Sequence, residues 1–499
     1  MIRFLPAQLK QWTAGELLQT TPHASDPERF YPSISTDSRT IQPGEVFVPL
    51  RGDRFDGHRF LFDAIDRGAA MAVIARDAED DVARCRALVE DDPNAPDILI
   101  VDDTWNAYQA IAAGFRSTLT ANVIGVTGSV GKTTTRRMIH AMIASQVKAE
   151  QSERNYNNQV GLPRTILATD DSTQALVAEL GMDAPGEIRK LTHIARPDIA
   201  IITTIGISHA EHLGGMREVL REKTSILEGM KDNGLIVVNG DDPMLEGWVS
   251  QDPTTVPIWY IASKQNVGHL ERDGIPVFWA EDIRETPEGI AFVGRTNLTP
   301  DERWPIALCH PGHHLVPAAL FGLAVAYVMG LDMDEAAASA THYTPGEGRQ
   351  SMHRVGAVDV MDDAYNASPQ SLHAALVTAQ RMAVDHRRWL TVFGGMRELG
   401  RYSKTAHKEA AEALLDAGVD RIYLVGEETE TTRDALLSHP NGADRLAGWY
   451  PTTDDVIDAV LRDLADGDFL LLKGSRFYAL ERVLDAMRQR EREGSRCSR

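Results

Sequence analysis

The chain has 499 residues, 43% hydrophobic and 25% charged, which is the composition of a folded protein of about three domains. A formal net charge of −21 argues against a nucleic-acid sheath, because neutralising a phosphate backbone takes a basic surface. No apolar run approaches the ~18 residues of a membrane span, and the N-terminus is too broken by charge and Pro6 to read as a signal peptide.

Residues 1–117 read as a small α/β unit. Leu9, Trp12, Leu17 and Leu18 suggest a first helix, Glu45–Leu50 a strand, Phe60–Gly68 a helix and Ala70–Ala75 a second strand. Between them Ser35, Thr36, Asp37, Ser38 and Arg39 cluster in a loop. That loop is either a polar turn or a cradle for a sugar or phosphate, with Arg39 as the anion contact. The acidic stretch from Asp77 to Asp97 reads as a solvated face. The three cysteines, Cys85, Cys309 and Cys497, have neither paired nor metal-ligand spacing, which fits a reduced, cytoplasmic setting.

Residues 118–344 carry the strongest signal. A β-branched run through Val123, Ile124 and Val126 leads into Thr127-Gly128-Ser129-Val130-Gly131-Lys132-Thr133-Thr134. Met138, Ile139, Met142, Ile143 and Val147 then follow at helical spacing. Strand, glycine loop and helix in that order make a phosphate cradle. Glycines admit the backbone N–H groups to the phosphates, and the helix N-terminus adds positive potential. Lys132 would reach the β- and γ-phosphates and the Thr133 hydroxyl would bind Mg²⁺. Val126 stands where the strict pattern has its first glycine. Asn155, Asn157 and Asn158 follow, either as a turn or as substrate contacts. Buried strands are expected at Ala175–Ala178, Ile199–Ile202 and Leu235–Val238. Glu179 and His209 lie at or just beyond two of their carboxyl ends, the edge where open parallel sheets bind ligands. Strands alternating with helices predict a mostly parallel, doubly wound sheet. Short β-like segments follow from Gln251 to Pro311, then a helix over Ala318–Met329. Past a turn at Thr344–Gly348, residues 345–499 form a second α/β unit with strands at Val358–Met361, Trp389–Phe393, Ile422–Val425 and Phe469–Leu472. A charged tail, RQREREGSRCSR, is expected to fray.

Several segments together resemble the Mur ligase family: TDSRTIQPGEVFVPLRGDRFDGH, TGSVGKTTT, NYNNQVGLP, ELGMDAPGEI, TTIGISHAEHLGGMREVLREKTSIL, DDAYNASPQSLHAAL, GGMRELGRYSKTAH and LLKGSR. The resemblance covers nearly the whole chain. The ELG and GEI segments with Met-Arg-Glu-Leu-Gly are similar to the type that adds D-alanyl-D-alanine to UDP-N-acetylmuramoyl-tripeptide. The Asp-Asn-Pro-Arg motif of the diamino-acid-adding sibling is missing. The family implies a three-domain α/β protein. An N-terminal UDP-sugar-binding domain precedes a central P-loop ATPase-like parallel sheet and a C-terminal Rossmann-like domain. It implies ATP and Mg²⁺ as the reaction's companions, and a monomer.

The resemblance also implies roles for single residues. Lys132 and Thr133 would serve phosphate and Mg²⁺, Glu179 and His209 the metal sites. Lys223 would be the lysine that CO₂ converts to a carbamate, a carboxylate able to bind Mg²⁺; a solvated helix lysine is the plainer alternative. Arg349 would reach the γ-phosphate, His314 would stack on adenine and Asp363 would hold the ribose. Tyr365 and Asn366 would frame the nucleotide and the amine. Lys473, Ser475 and Arg476 would take the dipeptide carboxylate. Ser35, Asp37, Ser38 and Arg39, with Asn157 and Asn158, would handle the UDP-sugar. The chain departs from the family at Leu315 and Ala318, where asparagines are usual, at Gly395 and at Ser368. Competing readings are another ATP-dependent amide ligase, of the diamino-acid or polyglutamate type, and a nucleotide-binding protein without ligation.

Overall fold

A computed structural model describes residues 3–52, 55–208, 210–251, 254–270 and 274–497. Three sheets carry the fold. The N-terminal sheet has the order Glu16–Leu18, Asp97–Val101, Met71–Ala75, Val46–Phe47, Ile34–Ser35, parallel except for its first strand. That first strand corrects one expectation. The opening helix is only Pro6–Thr13, because Ala14 turns left-handed (φ 52°), and Leu17 and Leu18 pair with Leu99 and Ile98 instead. Gly15 follows the turn because a Cβ there would sit 2.9 Å from the Ile100 carbonyl oxygen. The acidic stretch forms the helix Glu79–Asp91. Asp97, at its end, is fully buried and accepts from Gln19, His23, Arg29 and the Tyr31 hydroxyl. A carboxylate can be buried only with such partners.

The central sheet runs Trp304–Leu308, Gly289–Thr296, Val277–Thr286, Ile258–Ser263, Leu235–Asn239, Ile199–Ile202, Asn122–Thr127, Ala175–Glu179, Ala149–Gln151. From Val277–Thr286 to the Ala149 edge every pairing is parallel. The β-like segments after Gln251 close the other edge as antiparallel hairpin strands. The strand Asn122–Thr127 is apolar on both faces because both are covered. Ile124 and Val126 meet Met138, Ile139 and Met142 of the helix Lys132–Ile143, together with Leu320 and Phe321 of the helix Leu315–Val328. Val123 faces Phe115, Leu162 and Leu176. Each such side chain contributes about 1.5–3 kcal/mol by leaving water.

The helix Thr104–Thr118 joins the first two domains. Tyr108, Ile111 and Phe115 share one core with Phe4 and Val46 on one side and with Ile188 and Leu191 on the other. Trp12 fits against this helix because residue 114 is glycine; a Cβ there would lie 2.3 Å from the indole. Arg116, 1% exposed, clamps the junction. It donates to the carbonyls of Ala195, Leu119 and Arg196 and pairs with Asp198 at 2.8 Å, and Asp198 in turn accepts from the Val123 N–H.

The C-terminal sheet has the order Ser351–Val355, Val358–Asp363, Phe469–Lys473, Trp389–Gly394, Arg421–Val425, Leu446–Tyr450, with only the first strand antiparallel. The strand Leu446–Tyr450 is absent from the expected set, since glycine interrupts a half-exposed edge. The charged tail continues the helix Glu481–Cys497, which packs Val483, Leu484 and Met487 on this domain before the tail begins; within the tail Glu491 accepts from the Gly356 N–H at 2.9 Å. Among the described residues no helix is long and apolar enough to cross a membrane.

Replacing Arg116 by Met leaves three carbonyls without their donor. The Arg116→Met protein should lose about 2–4 kcal/mol, read as a lower thermal midpoint by calorimetry; an unchanged midpoint would remove the clamp from this account.

Candidate functional site

The parallel strands of the central and C-terminal sheets point their carboxyl ends toward each other, and one cavity of about 460 Å³ lies between them. Its central-domain wall includes Ser129, Val130, Gly131, Lys132, Thr133, Thr134, Asn157, Asn158, Glu179 and His314. Its C-terminal wall includes Arg349, Asp363, Tyr365, Asn366 and Lys473.

The loop after Thr127 is held open by the next strand over. Thr203 pairs with Thr127 through its N–H, and its hydroxyl donates to the Val130 carbonyl at 2.6 Å. The Ser129 N–H donates to the Thr204 carbonyl, and Val130 N–H to the Thr204 hydroxyl. Gly128 (φ 145°) fits only as glycine, because a Cβ would meet the Thr203 hydroxyl at 1.9 Å. Lys132 lies back across the loop, donating to the Gly128 carbonyl at 2.8 Å. Burial pushes its ammonium pKa down; Glu179 offsets this and the Arg349 charge adds to it. Such a lysine gains by meeting a polyanion.

Beside it, the Thr133 hydroxyl donates to Glu179 Oε2 at 2.9 Å, and Asn157 Nδ2 donates to Oε1 at 2.9 Å. Ser152 supports the Glu179 N–H, and the buried Arg136 stands 3.9 Å from the carboxylate. A hydroxyl and a carboxylate side by side are hard oxygen donors, the set that suits Mg²⁺. Asn158 is occupied differently: its Oδ1 accepts from the N–H groups of Val160 and Gly161 and so caps the helix Gly161–Leu167. His209 lies outside the described residues.

Lys223 sits on the helix Met216–Thr224 and is 1% exposed. Its pKa falls well below the usual lysine value, first through burial and then through the Lys132 charge. Its neighbour Glu222 counters only part of this, since both carboxylate oxygens already accept from the Gly186 and Ile188 N–H groups that start the next helix. A lysine in that setting gives up its proton far more readily than a solvated one. It does not line the cavity between the domains.

On the C-terminal side Lys473 and Asp363 occupy paired positions on neighbouring strands and meet at 2.9 Å. Lys473 also donates to the Asn366 carbonyl at 2.6 Å, so its ammonium is spent within the domain. Burial raises the Asp363 pKa, and Lys473 pulls it back. The Ser475 hydroxyl accepts from the Arg397 N–H, and the exposed Arg476 pairs with Glu481 at 2.7 Å. Arg349 and Arg476 lie over the Tyr365 ring, at 4.2 and 6.0 Å. His314 is neutral, its pKa lowered to about 4 by burial, and its Nδ1 has no partner. Beside it Pro317, Ala318, Phe321 and Ala374 make the apolar end of the cavity. Ser35, Asp37, Ser38 and Arg39 lie in the N-terminal domain, outside this cavity. There Asp37 pairs with Arg39 at 2.7 Å, which lowers its pKa to about 2, and Arg164 of the central domain acts on the same carboxylate. The sequence reading missed Gln350 and Gln370, which line the cavity, because amides carry no motif signal.

A phosphate loop opening into a cleft shared with a Rossmann-like domain defines an ATP-dependent ligase of the three-domain kind. Residues 31–116 match the description "Mur ligase family, catalytic domain", 126–326 "Mur ligase middle domain" and 348–476 "Mur ligase, glutamate ligase domain". A UDP-N-acetylmuramoyl-tripeptide–D-alanyl-D-alanine ligase of Bacillus subtilis is 32% identical over 455 residues, 90% of this chain and 92% of that protein. The crystal structure of MurF from Acinetobacter baumannii superposes with a TM-score of 0.80 at 25% identity, covering 98% and 99% of the two chains. A MurF ligase from Thermotoga maritima in complex with ADP shares the fold, with a TM-score of 0.72 at 24% identity over 92% and 98%. The chain belongs to the Mur ligase family.

The lysine pair sets a pH signature. The folded-state pKa of Lys223 lies below the unfolded value of ~10.4. Between the two the unfolded chain holds the extra proton, so stability rises with pH there and the burial cost is fully present below the folded pKa. Lys223→Met should therefore raise the thermal midpoint at pH 7, and the gain should shrink as pH approaches 10. A midpoint that falls at pH 7 would contradict this burial cost.

Proposed function

We propose that the chain joins D-alanyl-D-alanine to UDP-N-acetylmuramoyl-tripeptide at the expense of ATP, in cytoplasmic synthesis of the peptidoglycan precursor. The observation that carries the reading is the single cavity to which the central domain brings Lys132, Thr133 and Glu179 and the C-terminal domain Arg349, Asp363 and Tyr365. The similarity to the B. subtilis ligase along 90% of the chain supports the choice of substrates.

The chemistry runs in two steps. An oxygen of the tripeptide's terminal carboxylate attacks the γ-phosphorus of ATP. The bond to the bridging oxygen breaks, giving ADP and an acyl phosphate. The neutral amine of D-alanyl-D-alanine then attacks the acyl carbon. The tetrahedral adduct expels phosphate, and the nitrogen gives up a proton to leave the amide. The first step brings two anions together, so positive charge must be in place beforehand. Lys132 swings from the Gly128 carbonyl to the β- and γ-phosphates, and Arg349, stacked on Tyr365, approaches the γ-phosphate from the other domain. Thr133 and Glu179 are suited to Mg²⁺, which supplies further charge neutralisation at the phosphates. His209 is assigned to the second metal site.

Lys223 is suited to carbamate formation because burial lowers its pKa: the free amine, not the ammonium, adds CO₂. The product carries a carboxylate beside Lys132, which relieves the repulsion between the two lysines. Asp363 is assigned to the ribose and the apolar end with His314 to the adenine. Asp37, Ser38, Arg39 and Ser35 are assigned to the UDP-sugar, with Asn157 bridging through Glu179. Tyr365, Asn366, Ser475 and Arg476 face the incoming dipeptide. Lys473 supports Asp363 and the Asn366 carbonyl. The domain limits are 1–117, 118–344 and 345–499, and the working unit is a monomer.

Purified protein should release phosphate from ATP when given UDP-N-acetylmuramoyl-tripeptide and D-alanyl-D-alanine. It should give at most a few per cent of that rate with diaminopimelate, lysine or glutamate as the amine. Turnover with one of those amines on the matching acceptor would replace this reading by another ligase of the family, and nucleotide binding without turnover would remove ligation. Lys223→Ala should cut ligation at least 100-fold with no rescue by bicarbonate; full activity in that variant would end the carbamate role.

A further inference from the structure

The hinge between the central and C-terminal domains ends in a strained residue. Tyr343 is buried in the central core, Arg137 donates to the Thr344 carbonyl and hydroxyl, and the Arg349 N–H returns to the Gly346 carbonyl. Gly348 (φ 62°) accepts from the Tyr365 N–H through its carbonyl, and the next left-handed residue is Gln350, at φ 53°. A glutamine in that region costs on the order of 1 kcal/mol and persists only where its surroundings demand it. Its backbone N–H faces the Asp363 carboxylate and helps to offset the burial that raises that acid's pKa. Its side chain lines the cavity, and the amide oxygen Oε1 is buried without a hydrogen-bond partner. A buried acceptor left in that condition costs about 1–3 kcal/mol, so strain and desolvation fall on one residue, beside Arg349 and Asp363.

An acceptor needs a donor, and ATP offers few. Its phosphates only accept, and the apolar end of the cavity, with Pro317, Ala318, Phe321 and Ala374, suits the base. Between base and phosphates the donors are the ribose hydroxyls. We propose that Gln350 is a ribose-binding residue, its Oε1 accepting from one ribose hydroxyl while Asp363 takes the other. The inference rests on the cavity being the ATP site. The left-handed turn then has a purpose: it brings an amide and a carboxylate from facing positions at the end of one antiparallel strand pair onto the two neighbouring hydroxyls of one sugar, from the domain that would close on the nucleotide.

The test compares ATP, 2′-deoxy-ATP and 3′-deoxy-ATP on the wild-type protein and on Gln350→Met, which keeps length and removes the acceptor. In the wild type, one deoxy analogue should show a KM raised about 3–10-fold through loss of the Gln350 contact. In Gln350→Met the KM for ATP should rise by a similar factor, with no further rise for that same analogue. Independent, multiplying losses would overturn the assignment, as would a wild type that treats all three nucleotides alike, whether or not the variant folds. Wild-type ATP binding by calorimetry separates the premises: no ATP binding defeats the site reading itself, whereas ATP binding indifferent to both ribose hydroxyls defeats only the role of Gln350.

Discussion

Two lysines that feel each other's charge, one buried and one half-buried, set the terms for this molecule. Lys132 and Lys223 come from different helices, both lose hydration, and the Lys132 charge further lowers the Lys223 pKa. Glu179 is the principal carboxylate near Lys132, and it is already committed to Thr133 and Asn157. Glu222 is committed to a helix start. Neither carboxylate is therefore free to neutralise its lysine fully. Folding tolerates this because the surrounding parallel sheet is apolar on both faces and supplies a large core. The imbalance makes the site an anion receiver, in a chain whose formal net charge is −21.

The domain arrangement follows from the same need. A nucleotide triphosphate, an anionic acceptor and an amine must be assembled with water excluded, and no single sheet edge offers walls on all sides. Facing the carboxyl ends of two parallel sheets across one cavity provides them. The first domain is tied rigidly to the second by the shared core around Phe115 and by the Arg116 clamp. The third is joined through the turn at Gly346–Gln350 and contacts the second through Arg381 and Glu285.

Much of this was legible in the sequence for a physical reason. The buried strands of the central domain are continuous apolar runs; Gly128 is fixed by the close approach of Thr203, Gly131 by its left-handed backbone (φ 89°), and Lys132 and Thr133 by their bonds to the Gly128 carbonyl and Glu179. Val126, which breaks the strict phosphate-loop pattern, is simply the last core residue of its strand, fully buried against Met138 and Ile139. What the sequence concealed were roles decided by partners far away in the chain. Leu17 and Leu18 fit a helical pattern until a left-handed Ala14 and the Asp97–Val101 strand claim them. Asp97 sits in an acidic run yet is buried, because Arg29, His23 and Tyr31 converge on it. Asn158 and Lys473 belong to motif segments, but the Asn158 Oδ1 is taken by a helix start and the Lys473 ammonium by Asp363.

That last pair bears on how recognition residues should be read in such a site. A side chain whose hydrogen-bonding capacity is already filled positions its neighbours, whereas one left unfilled in a dry cavity is waiting for ligand. By that criterion Lys473 is framework. Lys132, which holds only a loop carbonyl, His314 with its free Nδ1 and Gln350 with its free Oε1 are receivers. In the proposed reading the receivers divide the nucleotide among them, with phosphate at Lys132, sugar at Gln350 and base at His314. Lys132 and His314 come from the central domain and Gln350 from the far side of the hinge. A nucleotide so bound would be gripped from both domains, and its binding would favour the closed arrangement in which Arg349 is proposed to reach the reacting phosphate.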